Sequence, residues 1–411
     1  MNELADKYDP YFFEVADPDR LAWYTREDGN VYCYPNSSYT VKDYEQGRGA
    51  ASNQTFLVRK DIYEAIGSPD MTTPEGFENA VRAAAEKFPQ IDGKPLIPVG
   101  AHEFTKIGCD SFDKFLMNFL AVPYEKNGKY YDRYTDPEYK RWLSMFRKLG
   151  EQGLLSDDIF IDKRAQMEEK IKDGRYFCMI YQRTDIADIE RQMYNVDSDS
   201  VYIAVDGPRN ENGAPHTLPG SGINGWTVTL ISKNCSHPDL AIKLMSFLMS
   251  EEGQKLISLG IDGENYNMSD GHAVLTEETR RLLCEDHLEY VQKVGANDTY
   301  WMFQDNRMQS EWMPEDIPPI ADMEDWARPF TVYTSQYDVD FAPGSKAAAA
   351  RQKIETIHGE MLPQLLLAPS QEEFERLWDI YVQRRKDSGL ELLLEESTTQ
   401  MNAAKARLGI S

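Results

Sequence analysis

At 411 residues the chain is too long for one compact core, because single cores stop growing near roughly 250–300 residues and longer chains split. Its net charge of -25, from 69 acidic against 44 basic residues, repels phosphate backbones and anionic lipid headgroups, which argues against nucleic acid as a partner. Hydrophobic residues make up 41% of the chain, enough to fold, yet no run approaches the roughly 18 apolar residues that a membrane helix needs.

In chain order, the opening stretch reads as short strands and turns. Asp28-Gly29-Asn30 is a turn signal, and residues 31–34 are a β-rich run that ends at Pro35. Residues 56–58 form a second β-rich run. From Thr73 the pattern is helical: Thr73 suits an N-cap, Pro74 the first helical position, and Phe77, Val81, Ala84 and Phe88 recur at helical spacing until Pro89. Residues 96–99 predict a strand and residues 113–120 a helix. Asn127-Gly128 predicts a tight turn between Tyr124 and the aromatic pair Tyr130 and Tyr131.

Asp136-Pro137 opens a helix with an apolar stripe of Tyr139, Trp142, Leu143, Phe146 and Leu149, closed by Gly150 and Gly153. A helix over 163–172, a buried strand over 176–181, a strand over 201–205 and another over 226–231 follow. Helices dominate afterwards, at 240–249, at 347–367 and around Phe374, Leu377, Trp378 and Tyr381. Strands alternating with helices make this an α/β protein.

Few motifs carry chemistry. Gly220 to Gly225 matches GxGxxG, but a dinucleotide fingerprint needs a strand before it and a helix after it; here a Pro-containing loop precedes and a β-rich run follows. The six histidines include no pair at i, i+4, and there is no nucleophile elbow, phosphate-binding loop or EF-hand spacing, so no enzyme, metal or cofactor is expected. The five cysteines (33, 109, 178, 235, 284) contain no CxxC pair and read as mostly buried small hydrophobes. The 23 Tyr, 17 Phe and 7 Trp suit a sugar, whose apolar C–H faces stack on rings while amides and carboxylates take its hydroxyls, although most rings belong in a core.

Several stretches, in order, resemble the extracellular solute-binding proteins of ABC importers, the family that includes maltodextrin-binding protein, in its larger Gram-positive lipoprotein-type branch. They are Asp28 to Tyr32 with Pro35, Phe56 to Asp61 followed by Thr73 to Phe77, Asp136 to Leu155, and Asp173-Gly174-Arg175. The most specific is the stretch from Trp226 through Ser250-Glu251-Glu252-Gly253 to Gly260 and Tyr266, and Phe374 to Leu390 completes the set.

The resemblance implies a two-lobed periplasmic-binding-protein-like fold (type II) with interleaved segments and a hinge. Lobe 1 would hold residues 1–60 and 232–330, lobe 2 residues 64–225 and 345–411, and the crossings would lie at 57–64, 224–232 and 331–345. It also implies a monomeric binder of a small-molecule solute, a sugar or oligosaccharide, that serves permease subunits as an extracellular lipoprotein. A peptide or other polar solute stays open, as does a non-binding paralogue. Family members begin with a signal peptide, a lipid-accepting cysteine and a first βαβ unit, all expected ahead of Met1, so part of lobe 1 is expected to be missing.

Hinged α/β proteins place ligands beyond the carboxyl ends of strands, between the lobes. The expected contacts are therefore His102, Glu103 and Phe104 after one strand, Tyr181 and Arg183 after another, Asn224 and Trp226 before a crossing strand, and Phe330 and Tyr333 at the third crossing.

Overall fold

The computed structural model describes residues 1–296, 303–314 and 316–410. They form two compact units, each assembled from two stretches of chain: Met1–Ala51 with Gly220–Asp316, and Ser52–Pro219 with Ile317–Ser411.

Two segments fall on the other side of the division from the one expected, and a third, expected at a crossing, joins the first unit, each because of what it pairs with. Strand Gln54–Arg59 joins the second unit through its ladder with Tyr176–Gln182. Helix Pro318–Ala327 joins it too, since Trp326 stacks on Phe119 with ring centroids 6.0 Å apart. Strand Val228–Leu230 joins the first unit through antiparallel pairing with Cys33–Pro35.

The second unit is built on a mixed sheet of β1 (Gln54–Arg59), β2 (Ile97–Gly100), β3 (Tyr176–Gln182) and β4 (Tyr202–Ala204), in the order β2-β3-β1-β4. β1 runs antiparallel to β3 and β4, and β2 runs parallel to β3; Val58 and Val99 both pair with Cys178. Every residue of β1 is buried, as expected of a central strand covered on both faces.

Helices α1 (Pro74–Lys87), α2 (Pro137–Glu151), α3 (Lys346–Leu366), α4 (Gln371–Asp387) and α5 (Leu390–Leu408) complete the unit. The Thr73 hydroxyl accepts the Gly76 N–H and the Asp136 carboxylate accepts the Glu138 N–H, so both expected caps form. Tyr139, Trp142, Leu143, Phe146 and Leu149 are each at most 1% exposed, and burial of each such side chain contributes roughly 1.5–3 kcal/mol. Gly359 lets α3 approach a loop closely: a Cβ there would stand 2.2 Å from the Lys106 carbonyl oxygen.

Two expectations fail in the secondary structure. The opening residues are helical (Asn2–Tyr8, Phe12–Val15, Pro18–Tyr24), because apolar side chains such as Phe12 pack against Ile242, Met245 and Met249. The helix expected over 113–120 is interrupted at Asp113 (φ -106°, ψ -105°), whose carboxylate is taken by the Cys109 N–H and by His358.

In the first unit, the Arg20 guanidinium is buried against Asp305 at 2.9 Å and the Ser38 carbonyl at 2.7 Å. After helix Glu251–Leu259, Gly260 (φ +88°) closes a turn in which the Asn265 side chain accepts the Ile261 N–H, and Tyr266 is buried with Leu259, Ala273 and Trp312. The element that follows residues 220–225 is strand Val228–Leu230 and not a helix. Cys33, Cys109, Cys178 and Cys235 are free thiols. Among the described residues no helix is long and apolar enough to cross a membrane, and no cluster of His, Cys, Asp or Glu is placed to hold a metal ion.

Candidate functional site

The second unit contains a cavity of about 930 Å³, within the range of small-molecule sites. Its wall is built from the end of β3, the segment after β2, the 124–134 loop, and residues of α3, α4 and α5.

The 124–134 loop supplies much of the aromatic surface. Asn127 (φ +54°) and Gly128 (φ +73°) close a small hairpin in which Glu125–Lys126 pairs with Lys129–Tyr130, so the chain returns with Tyr130, Tyr131, Arg133 and Tyr134 on the wall. Tyr124 is stacked on Tyr337, with centroids 4.7 Å apart and planes 8° apart, while the Arg133 guanidinium lies 3.9 Å from its ring centre. Its hydroxyl donates to Asn118, which in turn donates to Gln54. Burial pushes the Tyr130 phenol up to about 12, so it stays protonated and able to donate.

A buried polar chain runs behind this surface. His358 Nε2 meets Asp113 Oδ1 at 2.5 Å, His358 Nδ1 meets the Tyr381 hydroxyl at 2.8 Å, and Arg385 donates to the Tyr381 hydroxyl and is paired with Asp132. It fixes α3 and α4 to the loops below them. Truncating one member would leave a buried charge or dipole unpaired.

His102 and Tyr181 form the other end of the wall. The Ser111 hydroxyl donates to the Ile180 carbonyl at 2.7 Å and accepts the His102 backbone N–H at 2.8 Å. With its only proton used, it accepts from His102 Nδ1, also at 2.8 Å, which assigns the proton to Nδ1 and leaves Nε2 as a bare acceptor. Nε2 is buried and has no partner among the described residues. Burial pushes the imidazole down to about 4, so the ring is neutral at pH 7, and burial pushes the Tyr181 phenol up to about 12.

Charges on the wall are mostly paired. Lys114 has Asp110, Arg164 has Asp185, Arg351 has Glu355 and Arg385 has Asp132, all at ion-pair distance. The Glu103 carboxylate takes Lys163 at 3.0 Å and the Arg164 N–H at 3.3 Å. Arg133 is different. It donates through Nε to the Val122 carbonyl and through Nη2 to Asn118, and no described carboxylate pairs with it.

Of the nine contacts expected from sequence, the structure brings His102, Glu103 and Tyr181 to this wall. Phe104 instead packs on Phe160 with centroids 4.8 Å apart, because the chain turns it inward. Arg183 is tied to the Ser52 carbonyl and Glu324, and Phe330 packs edge-on to His216. Tyr333 is half-buried and off this wall. Asn224 and Trp226 belong to the first unit; the Asn224 side chain accepts the Trp23 indole N–H, whereas Trp226 is 60% exposed. Sequence reasoning missed Tyr124, Arg133, Tyr134 and Tyr337 as wall residues. The tyrosine density of residues 124–134 was the signal that could have found the first three.

Comparison with known proteins agrees with this architecture. The bacterial extracellular solute-binding protein family matches residues 16–263. Lipoprotein LipO of Bacillus subtilis (strain 168) is 25% identical over 244 residues, which cover 56% of this chain and 48% of that protein. The polygalacturonan/rhamnogalacturonan-binding protein YtcQ of the same organism is 21% identical over 236 residues, covering 56% and 46%. This chain thus spans about half the length of those relatives.

Among solved structures, alginate-binding protein AlgQ2 without calcium ion is similar with a TM-score of 0.70 at 17% identity, covering 98% of this chain and 81% of that one. The S. pneumoniae ABC-transporter substrate binding protein FusA in complex with kestose has a TM-score of 0.67 at 15% identity, covering 98% and 83%. At such identities the likeness establishes a shared two-lobed fold. With its family match running from residue 16 to residue 263, the chain belongs to the bacterial extracellular solute-binding proteins.

Proposed function

We propose that this chain captures a carbohydrate for a bacterial ABC importer, and that the cavity of the second unit receives it. The observation that carries this reading is the wall itself: a tyrosine-rich surface beside a buried His102 nitrogen that can only accept a hydrogen bond. Sugars offer apolar ring faces to aromatic side chains and hydroxyl donors to such acceptors. The carbohydrate names of YtcQ, AlgQ2 and FusA support the same reading.

His102, Glu103 and Tyr181 are the proposed contacts on this wall. Trp226, in the first unit, is proposed as a stacking platform in its own right, because a ring left 60% exposed adds little to any core. Delivery to permease subunits, action as a monomer, tethering as a lipoprotein in the manner of LipO's name, and binding without turnover complete the proposal.

Isothermal titration of the purified chain against neutral and acidic oligosaccharides, with di- and tripeptides in parallel, tests it. Saturable binding of a saccharide at micromolar concentration is the expected result. Binding of peptides alone, or hydrolysis of a bound glycoside, overturns it.

A further inference from the structure

Resting on the carbohydrate reading, we infer that the solute is an acidic saccharide whose carboxylate is received by Arg133. Four of the five lysine and arginine side chains on the cavity wall already have a carboxylate at ion-pair distance. Arg133 lines the same cavity at 7% exposure, and its described partners are all neutral: the Val122 carbonyl, the Asn118 side chain and the Tyr124 ring.

A buried guanidinium without a counter-charge is costly, so burial of this kind points to a charge supplied by something else. The geometry also preorganises the group. The Tyr124 ring, itself stacked on Tyr337, covers the plane of the guanidinium, and the bonds through Nε and Nη2 fix its rotation. No described residue accepts from Nη1, whose two N–H donors remain for an anion. A carboxylate answers this group in both charge and planarity, and arginine is the side chain whose fork matches it. A uronic acid residue carries that carboxylate on a sugar ring, which the neighbouring tyrosines suit.

The test compares acidic oligosaccharides (trigalacturonate, a mannuronate trisaccharide and a hyaluronate tetrasaccharide) with their carboxyl-reduced counterparts by titration calorimetry. At least one acidic form is expected to bind about 10–100-fold tighter than its reduced partner, the usual effect of a charge-assisted hydrogen bond. In Arg133→Gln the preference should disappear, through loss of affinity for the acid with the reduced form changed less than about threefold.

Equal affinity of the acidic and reduced forms overturns the inference and leaves the carbohydrate reading standing. Equal loss of both in Arg133→Gln also overturns it, since Arg133 would then be a structural group. Failure of every saccharide to bind removes the carbohydrate reading itself. Should Arg133→Gln not fold by circular dichroism, wild-type protein decides: a preference for the acid that shrinks with added salt supports the inference, and no preference refutes it.

Discussion

The imidazole of His102 lies against the ring of Tyr181, with centroids 4.1 Å apart and planes 21° apart. Stacking sets the height of the imidazole and Ser111 sets its tautomer, so Nε2 is held as a fixed, buried acceptor on a residue of the cavity wall. If that nitrogen accepts a solute hydroxyl, binding requires the neutral ring. Because burial holds the group near 4, affinity is expected to stay level from pH 8 down to about 5.5 and to fall as pH nears 4. Titrations across this range check it; a fall centred near pH 6.5 would show an ordinary, solvated histidine.

Glu190 governs stability at the other end of the range. It is fully buried, one oxygen accepts the Tyr202 N–H at 2.9 Å, the other has no partner among the described residues, and burial raises the carboxyl from 4.5 to about 8. The folded state therefore keeps a proton that the unfolded state loses between those values. The contribution of Glu190 is complete below pH 4.5 and is lost as pH rises through about 8. The lowered His102 acts in the opposite sense between about 4 and 6.5, where stability rises with pH. Above pH 6.5 only Glu190, of these two, still has a slope. Glu190→Gln is expected to flatten the decline of the melting temperature between pH 6.5 and 8; an unchanged decline would show that the carboxyl is ionised throughout.

Legibility in the sequence followed locality. The caps at Thr73 and Asp136, the stripe from Tyr139 to Leu149 and the Asn127-Gly128 turn depend on neighbours within one or two turns of chain, and each forms. The failures depend on distant partners. Phe12 is helical because Ile242 and Met245 cover it, and Asp113 breaks its helix because His358, 245 residues away, takes its carboxylate. The site divided in the same way. Of the candidates placed after strand ends, His102, Glu103 and Tyr181 lie on the cavity wall, but no local rule tells that Tyr337 stacks on Tyr124 or that Arg133 lacks a counter-charge.

Gly359 tests how α3 positions the wall. Its missing side chain lets the helix rest on the backbone of Lys106, where a Cβ would come within 2.2 Å of a carbonyl that cannot swing away as a side chain could. Gly359→Ala gains helix propensity but must displace α3 or the loop. The clash is expected to win, with a net loss of about 1–3 kcal/mol in denaturant unfolding. Because His358 precedes it on the wall, solute affinity should fall as well. A stabilised variant would mean that the loop yields freely.

Tyr266 separates shape from binding. It is 5% exposed among Leu259, Ala273 and Trp312, in a turn that needs Gly260 and Gly263 at positive φ. Tyr266→Ala is expected to cost about 3–5 kcal/mol, the scale of an aromatic truncation in a core, while affinity at a temperature where the protein stays folded is unchanged. Lost affinity with an unchanged melting temperature would move Tyr266 into the binding site.

Trp226 and Tyr181 should behave as opposites in stability and alike in binding. Tyr181 is 1% exposed and stacked on His102, so its removal opens a cavity; Tyr181→Phe keeps the packing and deletes only the hydroxyl. That variant should melt within a few degrees of the parent and lose roughly threefold to tenfold in affinity, the worth of one neutral hydrogen bond. Trp226, at 60% exposure, contributes little burial, so Trp226→Ala should leave the melting temperature unchanged. If its ring serves as a sugar platform, affinity falls by roughly threefold to tenfold, since a stacked pair contributes about 0.5–1.5 kcal/mol beyond area. Calorimetry and thermal melts on both variants separate the roles: a Trp226→Ala protein that binds as well as the parent would remove Trp226 from the site and leave the wall of the second unit as the proposed receptor for solute.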